Sequence, residues 1–201
     1  VHGMTLGELA RMINGEGWLR DGVKCPLTVV PCLGYRRSMH YELPIAPSPN
    51  LPNALSVALY PSLCYFEGTT VSVGRGTQWP FQTFGHPAMA GEFSFTPQSR
   101  VGAKTPPHQD TLCKGVDLRQ KSVEEVVKEG IDLSYIVDSY RTLTAKGEKF
   151  FLSSFFEKLI GVGYVRDMIE MNYTAEEIEA MWADDVRSFC QQREKYLIYE
   201  D

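Results

Sequence analysis

Apolar residues spaced three and four positions apart predict one helix near the amino terminus and several helices in the second half of the chain. Thr5 and Glu8 have the spacing of a capping box, in which a hydroxyl and a carboxylate each satisfy a free amide at the helix end, and the residues that follow predict a helix over Leu6–Asn14. Further capping boxes begin at Ser122 and Thr174. Apolar stripes predict the other helices around residues 133–143, 155–159 and 165–169.

Short runs rich in β-branched and aromatic residues predict strands, most of them in the first half of the chain. Strands that come early and helices that come late favour an α+β fold, with a mixed β-sheet in the first half packed with helices concentrated in the second half. We expect residues 1–201 to form a single domain. The predicted strands are Leu27–Val30, Ser56–Tyr60, Thr69–Val73, Phe81–Phe84, Phe93–Pro97, Cys113–Leu118 and Tyr196–Tyr199.

Composition and charge exclude several classes of protein. The 201 residues include 20 basic and 25 acidic side chains, a formal net charge of −5. With no basic excess to neutralise phosphates, nucleic acid is not an expected partner. No stretch approaches the roughly 18 consecutive apolar residues of a membrane helix, so we expect no membrane span. The sequence starts at Val1 and opens directly on a helix signal, as expected for a processed chain or part of a longer protein.

Metal sites and common catalytic motifs are not evident. The five cysteines lack CxxC spacing, and the four histidines lack the spacing of metal ligands. We therefore predict no metal, and mostly buried free thiols with room for one disulfide if the protein is exported. The sequence also lacks a P-loop, an HExxH motif, a GxSxG elbow and a complete dinucleotide-binding glycine motif.

The most unusual segment runs from Leu43 to Gly91. Its 49 residues include only two of Asp, Glu, Lys or Arg, namely Glu67 and Arg75. At the average charged fraction, roughly eleven would be expected in a segment of this length. Charged side chains are rarely buried without partners. The segment is therefore either largely buried or lines a cleft, and its two charges need an explanation.

Glu67 and Arg75 are surrounded by residues suited to a polyhydroxylated ligand. Glycines flank Arg75, which could hold a carboxylate through two parallel hydrogen bonds, and Glu67 could accept sugar hydroxyls or act as an acid or base. Trp79 and Phe81 follow the arginine and could stack on a sugar ring, although such aromatics are more often core residues. The structural alternative is an ion pair that holds a hairpin together. The hydroxyls near the pair belong to Thr69, Thr70, Ser72 and Thr77.

Motifs along nearly the whole chain resemble the carboxy-terminal domain of the bacterial exo-β-N-acetylmuramidase (NamZ) family, long catalogued as a domain of unknown function. The most specific block begins at Glu67 and ends at Thr77, although the family's usual Glu-Gly-Thr-Asn has Thr70 in the last position here. The other motifs include His2-Gly3-Met4-Thr5, Pro47-Ser48-Pro49-Asn50, Tyr60-Pro61, Phe156-Glu157-Lys158-Leu159 and Tyr196-Leu197-Ile198-Tyr199.

The resemblance implies half of a two-domain glycosidase. Family members have an amino-terminal Rossmann-like domain, which we expect to be absent from this chain, and an active site in the interdomain cleft. They release N-acetylmuramic acid from the non-reducing end of peptidoglycan fragments without a cofactor. Their substrate implies a periplasmic or secreted protein, although recycling enzymes also act in the cytoplasm. A binding module for peptidoglycan sugars and a purely structural domain remain the alternatives.

Site residues follow from the residue chemistry and from the matching motifs together. Glu67 is the candidate catalytic residue, and we expect no metal ligand. Arg75 is a chemically sensible partner for the lactyl carboxylate of N-acetylmuramic acid. Because glycosidases usually use two carboxyl groups, a second one must come from outside the low-charge segment. The remaining candidate substrate-binding residues are Thr69, Thr70, Ser72, Thr77, His2 and Asn50.

Overall fold

A computed structural model describes residues 2–152 and 154–200. These residues form two compact units. The first unit contains the residues up to Tyr41 together with those from Met181 onward, and the second runs from Glu42 to Ala180.

The first unit is organised around helix α1, Leu6–Gly15, which begins with the predicted capping box of Thr5 and Glu8. The strands predicted at Leu27–Val30 and Tyr196–Tyr199 are wrong, because neither segment is part of a sheet. Side chains take the place of a strand partner for the carboxy-terminal segment. The backbone amide of Ile198 donates to Glu8, and the Tyr199 hydroxyl accepts from the backbone amide of Cys32. Prolines on both sides of Leu27–Val30 remove backbone donors that a strand would need.

The second unit contains a three-stranded sheet with the order β1-β3-β2. The strands are β1 (Thr83–His86), β2 (Phe93–Phe95) and β3 (Cys113–Asp117). Both pairings are antiparallel, whereas the sequence predicts a mixed sheet. The predicted strand Thr69–Val73 is reduced to isolated bridges, Thr69 to Phe151 and Ser72 to Gly85. With helices mainly after the sheet, the predicted α+β class is confirmed.

Residues 56–60, predicted as a strand, belong to helix α2, Ala54–Leu63. Asn53 caps this helix, since its side chain accepts a hydrogen bond from the Ser56 amide at 2.9 Å. The helix is apolar on nearly every side, and a short apolar run of this kind fits a buried strand as well as a buried helix. The cap therefore indicates the helix more clearly than the apolar pattern does.

The later helices confirm the predicted positions closely. The predicted cap at Ser122 begins α3, and Gly161 ends α5 in a left-handed conformation. Helix α4 begins one residue later than expected, and Asp132 accepts a hydrogen bond from the Ser134 amide just before it. The helices are α3 (Val123–Glu129), α4 (Ser134–Thr144), α5 (Phe155–Ile160), α6 (Tyr164–Glu170) and α7 (Ala175–Glu194).

The core of the second unit lies where α2 and the turn after it meet the sheet and α5. Phe66 and Phe84 stack with ring centroids 4.9 Å apart, and both are buried. Phe156 of α5 packs tightly against this turn, since a Cβ at Gly68 would lie 2.7 Å from the Phe156 Cα. The core therefore fixes the backbone immediately on either side of Glu67.

The five cysteines are free thiols, but the expectation that most are buried is wrong. Cys25, Cys32 and Cys190 are exposed, Cys64 is intermediate and Cys113 is buried. Burial raises the pKa of the Cys64 and Cys113 thiols to about 11 in each case. The two thiols are therefore protonated at neutral pH.

Candidate functional site

Two tight backbone segments place Glu67 and Arg75. Glu67 lies in the 3₁₀ turn Cys64–Gly68, which directly continues α2. Arg75 lies in a turn closed by a hydrogen bond from the Thr77 amide to the Gly74 carbonyl, 3.0 Å. Gly74 and Gly76 both have positive φ, and a Cβ at either position would come within 2.7 Å of a backbone carbonyl oxygen. Glycine has no Cβ and adopts positive φ without strain, so it fits both positions beside Arg75.

The two charges form an ion pair that solvent still reaches. Arg75 Nη1 donates to Glu67 Oε1 at 2.7 Å, and the side chains retain 35% and 24% of their exposure respectively. Arg75 Nη2 donates to the Gly102 carbonyl at 3.3 Å. The ion pair expected as the structural alternative is present. It is not sealed in the core, so one face of each group is available to a ligand.

A cavity of about 290 Å³ opens at the ion pair. Its aromatic wall consists of Tyr60 and Phe81, whose ring centroids are 5.1 Å apart. Phe81 has a φ of 54°, an uncommon conformation for a bulky residue and one that typically costs on the order of 1–3 kcal/mol. The remaining lining residues are Ser48, Asn50 and Leu51. The cavity thus combines an acid, a guanidinium, an amide and an aromatic wall.

Asn50 lines the cavity and is held in place by the Gly102 carbonyl, which also accepts a hydrogen bond from Arg75. Its Nδ2 donates to the Gly102 oxygen at 2.9 Å, and its backbone amide donates to Ser48 Oγ at 3.2 Å. The loop that carries Gly102 is closed by reciprocal backbone hydrogen bonds between Arg100 and Ala103, both 3.0 Å. Asn50 and Arg75 are therefore held in register by one loop.

The Tyr60 hydroxyl is neutral at physiological pH. Burial raises the pKa of this phenol, the Cys64 thiol and the Glu67 carboxylate raise it further, and Arg75 opposes them. Tyr60 retains 38% of its exposure. A neutral phenol can both donate and accept hydrogen bonds, so it can engage a sugar hydroxyl at the cavity.

The four predicted hydroxyl residues use their side chains mainly in hydrogen bonds with backbone groups. Thr69 and Ser72 are buried and bond to neighbouring backbone, Thr69 Oγ1 donating to the Phe66 carbonyl and Ser72 Oγ accepting from the Gly74 amide. Thr70 Oγ1 donates to the Lys149 carbonyl at 2.8 Å. Thr77 Oγ1 donates to the Gly74 carbonyl and accepts from the Trp79 amide. None of the four lines the cavity at the ion pair.

His2 belongs to the other unit. Its Nδ1 accepts a hydrogen bond from the Met4 amide at 3.2 Å, and its carbonyl accepts from Arg193 at 2.6 Å. The structure thus brings Glu67, Arg75 and Asn50 together among the predicted site residues. It adds Ser48, Leu51 and Tyr60 to the cavity, which residue chemistry alone did not select. Ser48 and Tyr60 do lie in two of the motifs that carry the family resemblance.

Within residues 2–152 and 154–200, no group of three or more His, Cys, Asp or Glu side chains is arranged to hold a metal ion. No helix in these ranges is long and apolar enough to cross a membrane.

Comparison with protein families matches almost the entire chain. Residues 58–199 match the model of the carboxy-terminal domain of exo-beta-N-acetylmuramidase NamZ, and residues 1–55 match the model of its amino-terminal domain. The chain belongs to the NamZ family, a family of glycoside hydrolases. The ion pair lies within the carboxy-terminal match, whereas Ser48, Asn50 and Leu51 of the cavity lie within the amino-terminal match.

Individual relatives agree with this assignment. The peptidoglycan beta-N-acetylmuramidase NamZ of Bacillus subtilis is 35% identical over 98% of the chain, which covers 50% of that protein. A crystal structure of a DUF1343 family protein from Bacteroides fragilis superposes with a TM-score of 0.94 at 52% identity, covering all of this chain and 57% of that one. A second B. fragilis protein of that family, 22% identical, shares the fold with a TM-score of 0.74. The chain thus spans about half the length of these relatives.

Proposed function

We propose that the cavity at Glu67 and Arg75 binds the terminal N-acetylmuramic acid of a peptidoglycan fragment. In this proposal the chain contributes substrate-binding residues to a glycosidase that releases this sugar from the non-reducing end. The observation that supports it is a partly exposed acid and guanidinium that line a cavity with an aromatic wall. Polar anchors in a cavity with aromatic walls are typical of small-ligand sites.

Arg75 is assigned to the lactyl carboxylate of the sugar. Its Nη1 bonds to Glu67 and its Nη2 bonds to the Gly102 carbonyl, which hold the guanidinium plane in place before any ligand arrives. A guanidinium has five N–H donors, and these two bonds leave donors for a further carboxylate. An arginine that is already oriented loses less freedom on binding than a mobile one.

Glu67 is assigned to substrate positioning or catalysis. Its Oε1 accepts from Arg75, while Oε2 has no hydrogen-bond partner among the described residues. Among these residues Glu67 is also the one carboxylate that lines the cavity. Since glycosidases usually place two carboxyl groups at the scissile bond, we propose that the second comes from the amino-terminal domain of the same protein. The substrate implies a periplasmic or secreted location.

A non-catalytic sugar-binding role is the second candidate. It is favoured because, among the described residues, one carboxylate lines the cavity, and one acid suffices for binding but not for the usual hydrolytic mechanism. Incubation of an aryl β-N-acetylmuraminide with the chain alone, and with the amino-terminal domain of the same protein added, separates the two roles. Release of the aryl group that needs both parts, and is lost in Glu67→Gln, indicates a half of a hydrolase. Saturable binding without release in either mixture indicates a binding module.

The test of ligand identity is calorimetric titration of the chain with N-acetylmuramic acid and with N-acetylglucosamine, which lacks the lactyl group. We expect N-acetylmuramic acid to bind at least about 10-fold more tightly, since a charge-assisted hydrogen bond contributes about 1.5–3 kcal/mol. Arg75→Ala should abolish this preference, and Arg75→Lys should restore part of it. Lys158→Ala, an exposed change in α5, is the control. Equal affinity for the two sugars, or no binding of either, would overturn the proposal.

A further inference from the structure

A second cavity, of about 450 Å³, lies beside the first within the same unit. Its walls come from four places in the sequence. They are the turn after Arg75, strand β2 with the residue after it, the loop that precedes Gly102, and Leu112 just before β3. The residues used in the argument below are Gly76, Trp79, Ser94, Thr96, Gln98 and Arg100.

The walls of the second cavity carry hydrogen-bonding groups that the protein does not use. The side chains of Ser94, Thr96, Gln98 and Arg100 are exposed. Across residues 2–152 and 154–200, the structure gives these four side chains and the Trp79 indole N–H no hydrogen-bond partner, so all five are available to a ligand. Together they offer hydroxyls, an amide, a guanidinium and an indole donor.

Trp79 is held as a fixed aromatic surface at this cavity. The Arg119 guanidinium lies 4.0 Å from the ring centroid, and Phe93 packs against the same indole at 5.9 Å. Arg119 is itself fixed, because its Nε and Nη2 donate to Asp117 at 2.8 and 2.7 Å. Trp79 thereby keeps its orientation without a ligand. An aromatic ring beside unused amide and hydroxyl groups suits a sugar, which has apolar ring faces and polar edges.

The two cavities share their supporting backbone. Arg75 lines the first cavity, and the next residue, Gly76, lines the second. The Gly76 carbonyl accepts a hydrogen bond from the backbone amide of Gln98 at 2.9 Å. The loop after Gln98 then places Arg100 at the second cavity and the Gly102 carbonyl at Arg75. A ligand longer than one sugar could therefore contact both cavities.

We propose that the second cavity is a further saccharide-binding subsite, which takes the sugar β-linked to the N-acetylmuramic acid held at Arg75. The inference rests on the proposed function, because it takes the first cavity as the site of the terminal sugar. It adds a specificity determinant outside the ion pair. Arg100 is the one charged residue that lines this cavity among the described residues, so the subsite favours neutral or anionic saccharides.

The test compares a monosaccharide with a disaccharide. The probes are N-acetylmuramic acid and its β-1,4 disaccharide with N-acetylglucosamine, linked through sulfur so that it is not hydrolysed. We expect the chain to bind the disaccharide at least about 10-fold more tightly, the effect of roughly one good polar contact. The double variant Gln98→Ala/Arg100→Ala should lose that gain and bind the monosaccharide within about twofold of the parent. Gln120→Ala/Lys158→Ala, two exposed changes elsewhere in the unit, should retain it.

Tryptophan fluorescence gives a second measurement that does not depend on the double variant. We expect the disaccharide to change the emission of the parent chain and of Trp182→Phe, but not of Trp79→Phe. If the monosaccharide binds through Arg75 but the disaccharide binds no better and leaves Trp79 unaffected, the second subsite is refuted and the proposed function stands. If neither saccharide binds, the proposed function fails and the subsite fails with it.

Discussion

The buried carboxylate of Glu8 provides a quantitative test of how the first unit is held together. Glu8 is fully buried, and its oxygens accept hydrogen bonds from the backbone amides of Thr5 and Ile198, each at 2.8 Å. It also pairs with Arg37, whose side chain is 16% exposed. Glu8 therefore joins the start of α1 to the carboxy-terminal segment and to the loop that carries Arg37.

The lowered pKa of Glu8 gives the size of its contribution to the free energy of unfolding. Burial opposes ionisation of this carboxyl, but the amides of Ile198 and Thr5 and the Arg37 guanidinium outweigh it and lower the pKa from 4.5 to about 2. The difference corresponds to roughly 3 kcal/mol, since each pKa unit is worth about 1.4 kcal/mol. Partial exposure of Arg37 reduces this value, so we expect Glu8→Gln to lower the free energy of unfolding by about 2–3 kcal/mol at pH 7.

The sign of the pH dependence follows from the lowered pKa. The unfolded chain binds the proton first as the pH falls, so the stabilisation is complete above about pH 5 and is lost progressively towards about pH 2. Urea unfolding at several pH values, followed by circular dichroism, measures this loss of stability. The difference between the parent and Glu8→Gln should shrink across this window, while the exposed control Glu92→Gln should follow the parent throughout. A difference that stays constant from pH 7 to pH 3 would refute the reasoning.

Two further predictions concern the backbone beside the site and the thiols. Gly68→Ala should lower the free energy of unfolding by about 1–3 kcal/mol, because its Cβ would lie 2.7 Å from the Phe156 Cα, whereas Gly163→Ala meets nothing within 4 Å; equal thermal shifts for the two variants would contradict this packing. At pH 8 iodoacetamide should label the exposed Cys25, Cys32 and Cys190 within minutes. Cys64 and Cys113, whose pKa burial raises to about 11, should react only after unfolding. Rapid labelling of four or five thiols in the native protein, measured by mass spectrometry, would contradict the burial of Cys64 and Cys113.

The helices were the most predictable part of the fold because their signals are local. A capping box at Ser122 or Thr174 fixes a helix start by hydrogen bonds that span three residues, and both starts were found as predicted. Strands depend on distant partners. Thr69–Val73 has a strand-like composition, but the backbone makes only isolated bridges to Phe151 and Gly85. The local sequence pattern cannot distinguish a strand in a sheet from an extended segment with isolated bridges.

The candidate site was predictable in its charges but not in its walls. Glu67 and Arg75 stood out because a charge within an uncharged segment must have a partner or a ligand. The apolar pattern predicts a strand at Tyr60, whereas the place of Tyr60 at the cavity follows from helix α2. Thr69 and Ser72 looked like ligand hydroxyls, yet the turn uses them internally. Local spacing cannot tell a hydroxyl that caps a turn from one that faces a ligand.

The observed ion pair and the proposed ligand site are compatible rather than alternative. A pair formed only for stability gains little, because desolvation offsets most of the attraction, and full burial would leave no access to a sugar. Glu67 and Arg75 are instead partly exposed, and the Gly102 carbonyl holds the second arginine nitrogen. The Glu67 contact thus orients a guanidinium that the cavity keeps within reach of a ligand. Arg75→Lys keeps the charge but loses this planar arrangement, so the lysine variant should recover charge attraction without the full preference for the lactyl carboxylate.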